Sequence, residues 1–224
     1  MPRSGRVPSN RFIKIGLFFF LMEEAADFSQ VEFGPALLYP AGCKLEVVDL
    51  SGPDASAVFS SSPFTVGRYL ERRGIYSSDL FIAGEGRRRC VHLGVDLGAP
   101  VGTVVLAPCE GVVLHCGFNP AAGDYGHCVV TRHQVGGRSV YFLFGHLGRS
   151  ALEESPSGRV FGKGARLGVL GSPEENGGWP PHLHFQLALH EPATHDLPGV
   201  CCEDEVEESA RLYPDPRLVL GPLW

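Results

Sequence analysis

From Cys90 onward the chain is a succession of short apolar runs broken by turn residues, and no other feature limits its fold as much. Residues 103–106 and 111–114 flank a turn at 108–111. Residues 127–131 and 139–143 flank Gly136-Gly137, a hairpin signal. Two more runs follow at 166–170 and 182–187, the second with clean apolar/polar alternation. Strand after strand with short turns predicts a mainly β, antiparallel core, sandwich- or barrel-like, with few short helices. The 29 glycines and 18 prolines agree with many tight turns. One short helix is expected at 69–73.

A chain of 224 residues suits one such domain with appendages. Residues 1–60 read as a leader and N-terminal arm, poorly ordered or pro-segment-like. Residues 61–190 form the domain, and 191–224 an acidic, Pro-rich extension whose run at 203–208 reads as a solvated loop. Arg3, Arg6, Arg11 and Lys14 precede an apolar run at 15–22, which imitates a secretion signal. That run is too short to span a membrane, and Glu23 and Glu24 follow it at once. The seven cysteines are odd in number and contain no C-x-x-C pair. They read as small buried hydrophobes in a reducing compartment, so a cytoplasmic location is expected over secretion. With 19 basic against 25 acidic residues, no surplus exists to neutralise phosphates, and nucleic acid is not an expected partner.

Three pieces carry chemistry: His92-x-x-x-Asp96, His182-x-His184 and the single His146. Strand residues two or four apart share a face, so His182 and His184 point together while Leu183 and Phe185 point away. If 92–96 is extended, His92 and Asp96 share a face as well. Each piece alone has a plain explanation as surface or hydrogen-bonded polar residues. Together, with apolar neighbours that would bury them, they call for partners or a metal. Two imidazoles and one carboxylate from such a set leave one position open on tetrahedral zinc.

The stretch His92-Leu93-Gly94-Val95-Asp96-Leu97-Gly98-Ala99-Pro100-Val101-Gly102-Thr103 resembles the first motif of the lysostaphin-type (LytM/M23) zinc metallopeptidases. Ala107 to Val113 resembles their next hairpin, Tyr141 to Leu147 the strand with their central histidine, and 163–171 with His182-Leu183-His184-Phe185 their final motif. The resemblance covers about 88–190 and implies an antiparallel β fold with a groove across the sheet. It implies one zinc ion held by His92, Asp96 and His184, with His182 and His146 beside it handling protons or steadying the oxyanion. It also implies a zinc metallo-endopeptidase that hydrolyses short peptide bonds, typically peptidoglycan cross-bridges. Two departures stand out: Gln186 where the family often has Glu, and the segment 174–181 where it is usually Ser/Thr/Gly-rich. The stretch 176–186 resembles a subgroup fused to aminotransferase-like and kinase-like domains. That likeness brings in a zinc hydrolase of a small metabolite as an alternative, beside a non-catalytic binding module on the same scaffold.

Trp179, Asp124, Tyr125 and His127 are the expected substrate rim, with Trp179 equally readable as a packing aromatic. His115, His127 and His133 are expected at the surface or in packing, with His127 also a rim candidate through Asp124-Tyr125-Gly126-His127, and His190 and His195 in solvent.

Overall fold

The computed structural model describes residues 26–53 and 62–224. The apolar run at 15–22 lies outside the described residues. Twelve strands make up the described β structure. They are β1 (Glu46–Val47), β2 (Thr65–Gly67), β3 (Val91–His92), β4 (Val95–Gly98), β5 (Val104–Leu106) and β6 (Gly111–Asn119). Then come β7 (Gly126–Val135), β8 (Arg138–Leu147), β9 (Val160–Phe161), β10 (Arg166–Val169), β11 (His182–Ala188) and β12 (Val200–Cys201). Eight of them form one sheet in the order β1-β2-β4-β11-β8-β7-β6-β9. Every pairing in it is antiparallel except β1 with β2.

The expected hairpin at Gly136-Gly137 joins β7 to β8, with Val135 opposite Arg138. Both glycines have positive φ, 54° and 80°, which a two-residue turn of this hand requires. The 103–114 pair turns out differently. β5 pairs with β10, while β6 pairs with β7 and β9, so the two runs belong to separate sheets. The turn between them spends its backbone groups elsewhere. Ala107 N–H donates to Ala165 O, Gly164 N–H to Ala107 O and Gly34 N–H to Pro108 O.

The expected helix at 69–73 is also absent. Leu70 N–H donates to His92 O, His92 N–H to Glu71 O and Arg73 N–H to Cys90 O. The segment is stitched to the strand that carries His92, and Leu70 takes a φ of 54° to make the turn. The acidic run departs from expectation in the other direction. It forms a 3-10 turn, Glu203–Glu205, that leads into a helix, Val206–Leu212. Glu207 and Glu208 sit in the helix's first turn, where carboxylates complement its positive end.

Alternation on β11 sets the core. Leu183, Phe185 and Leu187 are fully buried on one face, against Phe142 and Phe144 of β8. Phe185 meets those two rings edge-on at 5.4 and 5.3 Å. The described part of the N-terminal arm joins this core through Phe28, Ala36 and Leu37, so 26–50 is built into the fold. A second, smaller core covers the other face, where Leu197, Cys201 and Tyr213 of the C-terminal extension pack on Val130, Tyr141 and Leu143. β12 pairs with β3, setting Val200 opposite His92. All seven cysteines are free. No helix among the described residues is long and apolar enough to cross a membrane.

Candidate metal centre

Register brings the three chemical pieces together. β11 lies between β4 and β8, with His184 opposite Asp96 on one side and Gly145 on the other. His92 arrives on the short β3, one turn before β4. Gly94 makes that approach possible, because a Cβ there would lie 2.5 Å from the His184 ring. His146 ends β8 with a φ of 63°, a left-handed conformation that costs a non-glycine residue about 1 kcal/mol. It is held there by Tyr125 O, which accepts from its N–H, and by Gly171 N–H, which donates to its carbonyl.

His92, Asp96, His146, His182 and His184 are all 5% exposed or less. His92 Nε2, His184 Nδ1 and Asp96 Oδ1 form a triangle with sides of 3.0, 3.2 and 3.1 Å. The far nitrogen of each ring fixes its hydrogen. His92 Nδ1–H donates to Arg68 O at 3.0 Å, since a carbonyl can only accept. Gln186 Nε2 donates to Pro198 O at 3.1 Å, which turns Oε1 toward His184 to accept its Nε2–H at 3.0 Å. Both imidazoles therefore aim bare nitrogens at the same point as the carboxylate oxygen. Three lone-pair donors facing one another call for a cation between them.

The donor set fits zinc. Tetrahedral bonds of about 2.0–2.1 Å place neighbouring ligand atoms about 3.3 Å apart, close to the observed triangle. Carboxylate and carbonyl partners on the outer nitrogens are the usual way ligand histidines are oriented.

The other two histidines follow the same plan without joining the triangle. His182 Nδ1–H donates to Pro180 O at 2.7 Å, and its Nε2 stands 3.7 Å from Asp96 Oδ1. His146 Nδ1–H donates to Asn176 O at 2.8 Å. The two rings lie 4.3 Å apart. Asn176, fully buried, ties its loop by donating to Gly171 O and Trp179 O and accepting from the N–H groups of Gly178 and Trp179.

Electrostatics keep the His92, His146 and His182 rings neutral. Burial first, and the Arg73 charge second, push His92 down to about 4. Burial, with His182 and His184 close by, holds His146 well below its ordinary value, and burial also lowers His182. Burial alone would raise the Asp96 carboxyl. Its interactions with His92, Arg73 and His182 and the bond to His184 outweigh it and keep the group well below the usual carboxylate range.

A cleft of about 390 Å³ opens over this centre. Tyr76, Phe81, Trp179, Leu197 and Val200 give it an apolar wall, and Asp124 and Asp196 lie on its lining too. Of the expected rim, Trp179 and Asp124 line the cleft. Tyr125 forms its floor, 7% exposed, with its ring 5.1 Å from that of His184 and its hydroxyl donating to Leu197 O. His127 does not reach the cleft. It is buried beneath Phe118, ring centroids 4.4 Å apart, with Nδ1–H donating to Glu175 O. His195, expected in solvent, is half-buried and bonds through Nε2 to Asn119 Oδ1. Arg73, Glu71 and Tyr76 were invisible beforehand, because Glu71 and Arg73 lie in the stretch that reads as a helix and none of the three shares a spacing with the histidines.

Residues 90–195 match peptidase family M23. A relative from Haemophilus influenzae, described as an uncharacterized metalloprotease, is 33% identical over 112 residues, 48% of this chain and 22% of that protein. A Neisseria meningitidis protein named DD-carboxypeptidase/endopeptidase Mpg is 37% identical over 100 residues, 45% of this chain and 20% of that protein. The chain thus spans about a fifth of the length of these relatives. The catalytic domain of lysostaphin from Staphylococcus simulans superposes with a TM-score of 0.42 at 17% identity, covering 69% of this chain and 96% of that one. The segment that matches peptidase family M23 is the one that holds His92, Asp96, His146, His182 and His184.

Proposed function

We propose that this chain is a zinc metallo-endopeptidase that cleaves short peptide bonds of the peptidoglycan cross-bridge type. The observation that carries the reading is the triangle of bare donors on His92, Asp96 and His184, each outer nitrogen already tied. Zinc held there supplies Lewis-acid chemistry, polarising an amide carbonyl and acidifying water. His182 and His146 present neutral imidazoles whose Nδ1–H groups are donated to Pro180 O and Asn176 O, so Nε2 is the nitrogen through which each ring would take up a proton. A proton gathered on one ring is then available to the departing amine. The cleft walls exclude bulk water and strengthen these interactions. The Neisseria relative's name, DD-carboxypeptidase/endopeptidase, supports hydrolysis of peptide bonds. A non-catalytic module has no need of two further imidazoles with fixed hydrogens beside the triangle.

The test pairs metal content with turnover on peptidoglycan and on Gly-rich peptides. His184→Ala should lose both metal and activity. His182→Ala should keep one zinc per chain and lose turnover by about 100-fold or more. Full turnover in His182→Ala, or no zinc uptake by the parent chain, would remove the reading.

A further inference from the structure

Arg73 lies outside the five side chains above, yet it is only 3% exposed and touches one of them. Its Nε donates to Glu71 Oε2 at 3.1 Å, and its Nη1 donates to the Tyr76 hydroxyl at 2.9 Å and to Asp96 Oδ2. The two oxygens of Asp96 are therefore divided. Oδ1 faces His92 and His184, and Oδ2 faces the guanidinium. Glu71, 7% exposed, balances the buried positive charge and is itself anchored by Leu50 N–H and Arg68 Nη2.

The sheet sets the guanidinium in place. Gly67 of β2 pairs with Asp96 of β4, and an added Cβ at Gly67 would lie 2.6 Å from Arg73 Nη2. Nη2 has no hydrogen-bond partner among the described residues. An unpaired buried N–H is costly, so the fork is retained here for what Nε and Nη1 do.

We propose that Arg73 is a positioning residue that restricts Asp96 to one-oxygen coordination and so keeps a coordination position open in the cleft. This rests on the metal reading above. A carboxylate can grip an ion through one oxygen or both. A charge-assisted bond from an arginine removes the second oxygen from competition. Lysine offers a single nitrogen and cannot span Glu71, Tyr76 and Asp96 together.

The experiment uses the full chain stripped of metal and reloaded with cobalt(II), whose visible bands are strong when four-coordinate and weaken at higher coordination. The parent chain should bind one cobalt with strong bands. Arg73→Lys, and Gly67→Ala, whose Cβ would press on the guanidinium at 2.6 Å and come to 3.3 Å from Asp96 Cβ, should each still bind one cobalt with weakened bands. Their zinc dissociation constants, read by chelator competition, should rise about tenfold or more. The double variant Glu71→Gln/Arg73→Met removes the fork without leaving an unpaired buried charge, and should behave as Arg73→Lys does. Folded variants with the parent's spectrum and zinc affinity would overturn the inference and leave the metal reading standing. A parent chain that takes up no cobalt would overturn both.

Discussion

Gln186 Oε1 accepts the Nε2–H of His184 at 3.0 Å, and this one bond leaves Nδ1 of His184 bare toward Asp96 and His92. Gln186→Leu removes the acceptor and frees the ring to choose its other tautomer. Zinc affinity should fall about 10- to 100-fold, measured by chelator competition. Gln186→Glu keeps an acceptor and should retain most of the affinity. Equal loss in both variants would show that the bond does not select the tautomer.

Gly94→Ala should strike the same ring sterically. The new Cβ would stand 2.5 Å from His184 Cε1 and 2.9 Å from Phe185 O, so the strand or the ring must move. Stability should drop by about 1–3 kcal/mol, with zinc stoichiometry falling alongside. Denaturant titration and metal analysis on the same sample check this. A fully metallated, equally stable variant would contradict the close approach.

Acidification should destabilise the fold through His133, far from the metal centre. Its Nδ1–H donates to Glu110 O at 2.7 Å and its Nε2 accepts from Thr131 Oγ1 at 2.7 Å. It stacks on Phe142 with ring centroids 4.0 Å apart. Burial lowers its pKa to about 4, against about 6.5 in an unfolded chain. Between those values the unfolded state binds the extra proton, so stability falls as pH falls through the window. The loss amounts to about 3 kcal/mol in total, at about 1.4 kcal/mol per pH unit. His133→Gln lacks this titration. Denaturation midpoints from pH 7 to pH 4 should therefore drop faster for the parent than for the variant, and parallel curves would refute the assignment.

Phe185→Ala should cost about 3–5 kcal/mol, since its ring is fully buried between Phe142 and Phe144. Leu183→Ala on the same face should cost about 2–5 kcal/mol. Urea unfolding measures both. A loss below 1 kcal/mol at either would mean that face is not the core.

Alternation made β11 readable, because a half-polar strand shows its period directly. The Gly136-Gly137 hairpin was readable for a similar reason, as its turn chemistry is local. Partnership between strands was not. Residues 103–106 find β10 rather than their neighbour, through backbone bonds that side-chain pattern does not encode. Four of the five polar side chains of the centre could be picked out because they sit in two short motifs, and the single His146 through the family resemblance of 141–147. Arg73 and Glu71 could not, because their meaning comes from the pairing of Gly67 with Asp96. His127 packs against Phe118, in keeping with its surface-or-packing reading, and its nearness in sequence to Asp124 does not bring it to the rim.

Three of the four imidazoles at the centre have their protons pinned by main-chain oxygens, those of Arg68, Asn176 and Pro180. Every amino acid brings the same oxygen, so exchanging those three residues leaves the pins chemically unaltered as long as the chain keeps its path. Only His184 leans on a replaceable group. Among the partners that hold these four protons, inherited variation can therefore act directly at one codon, that of Gln186, and at the others only by bending the backbone itself.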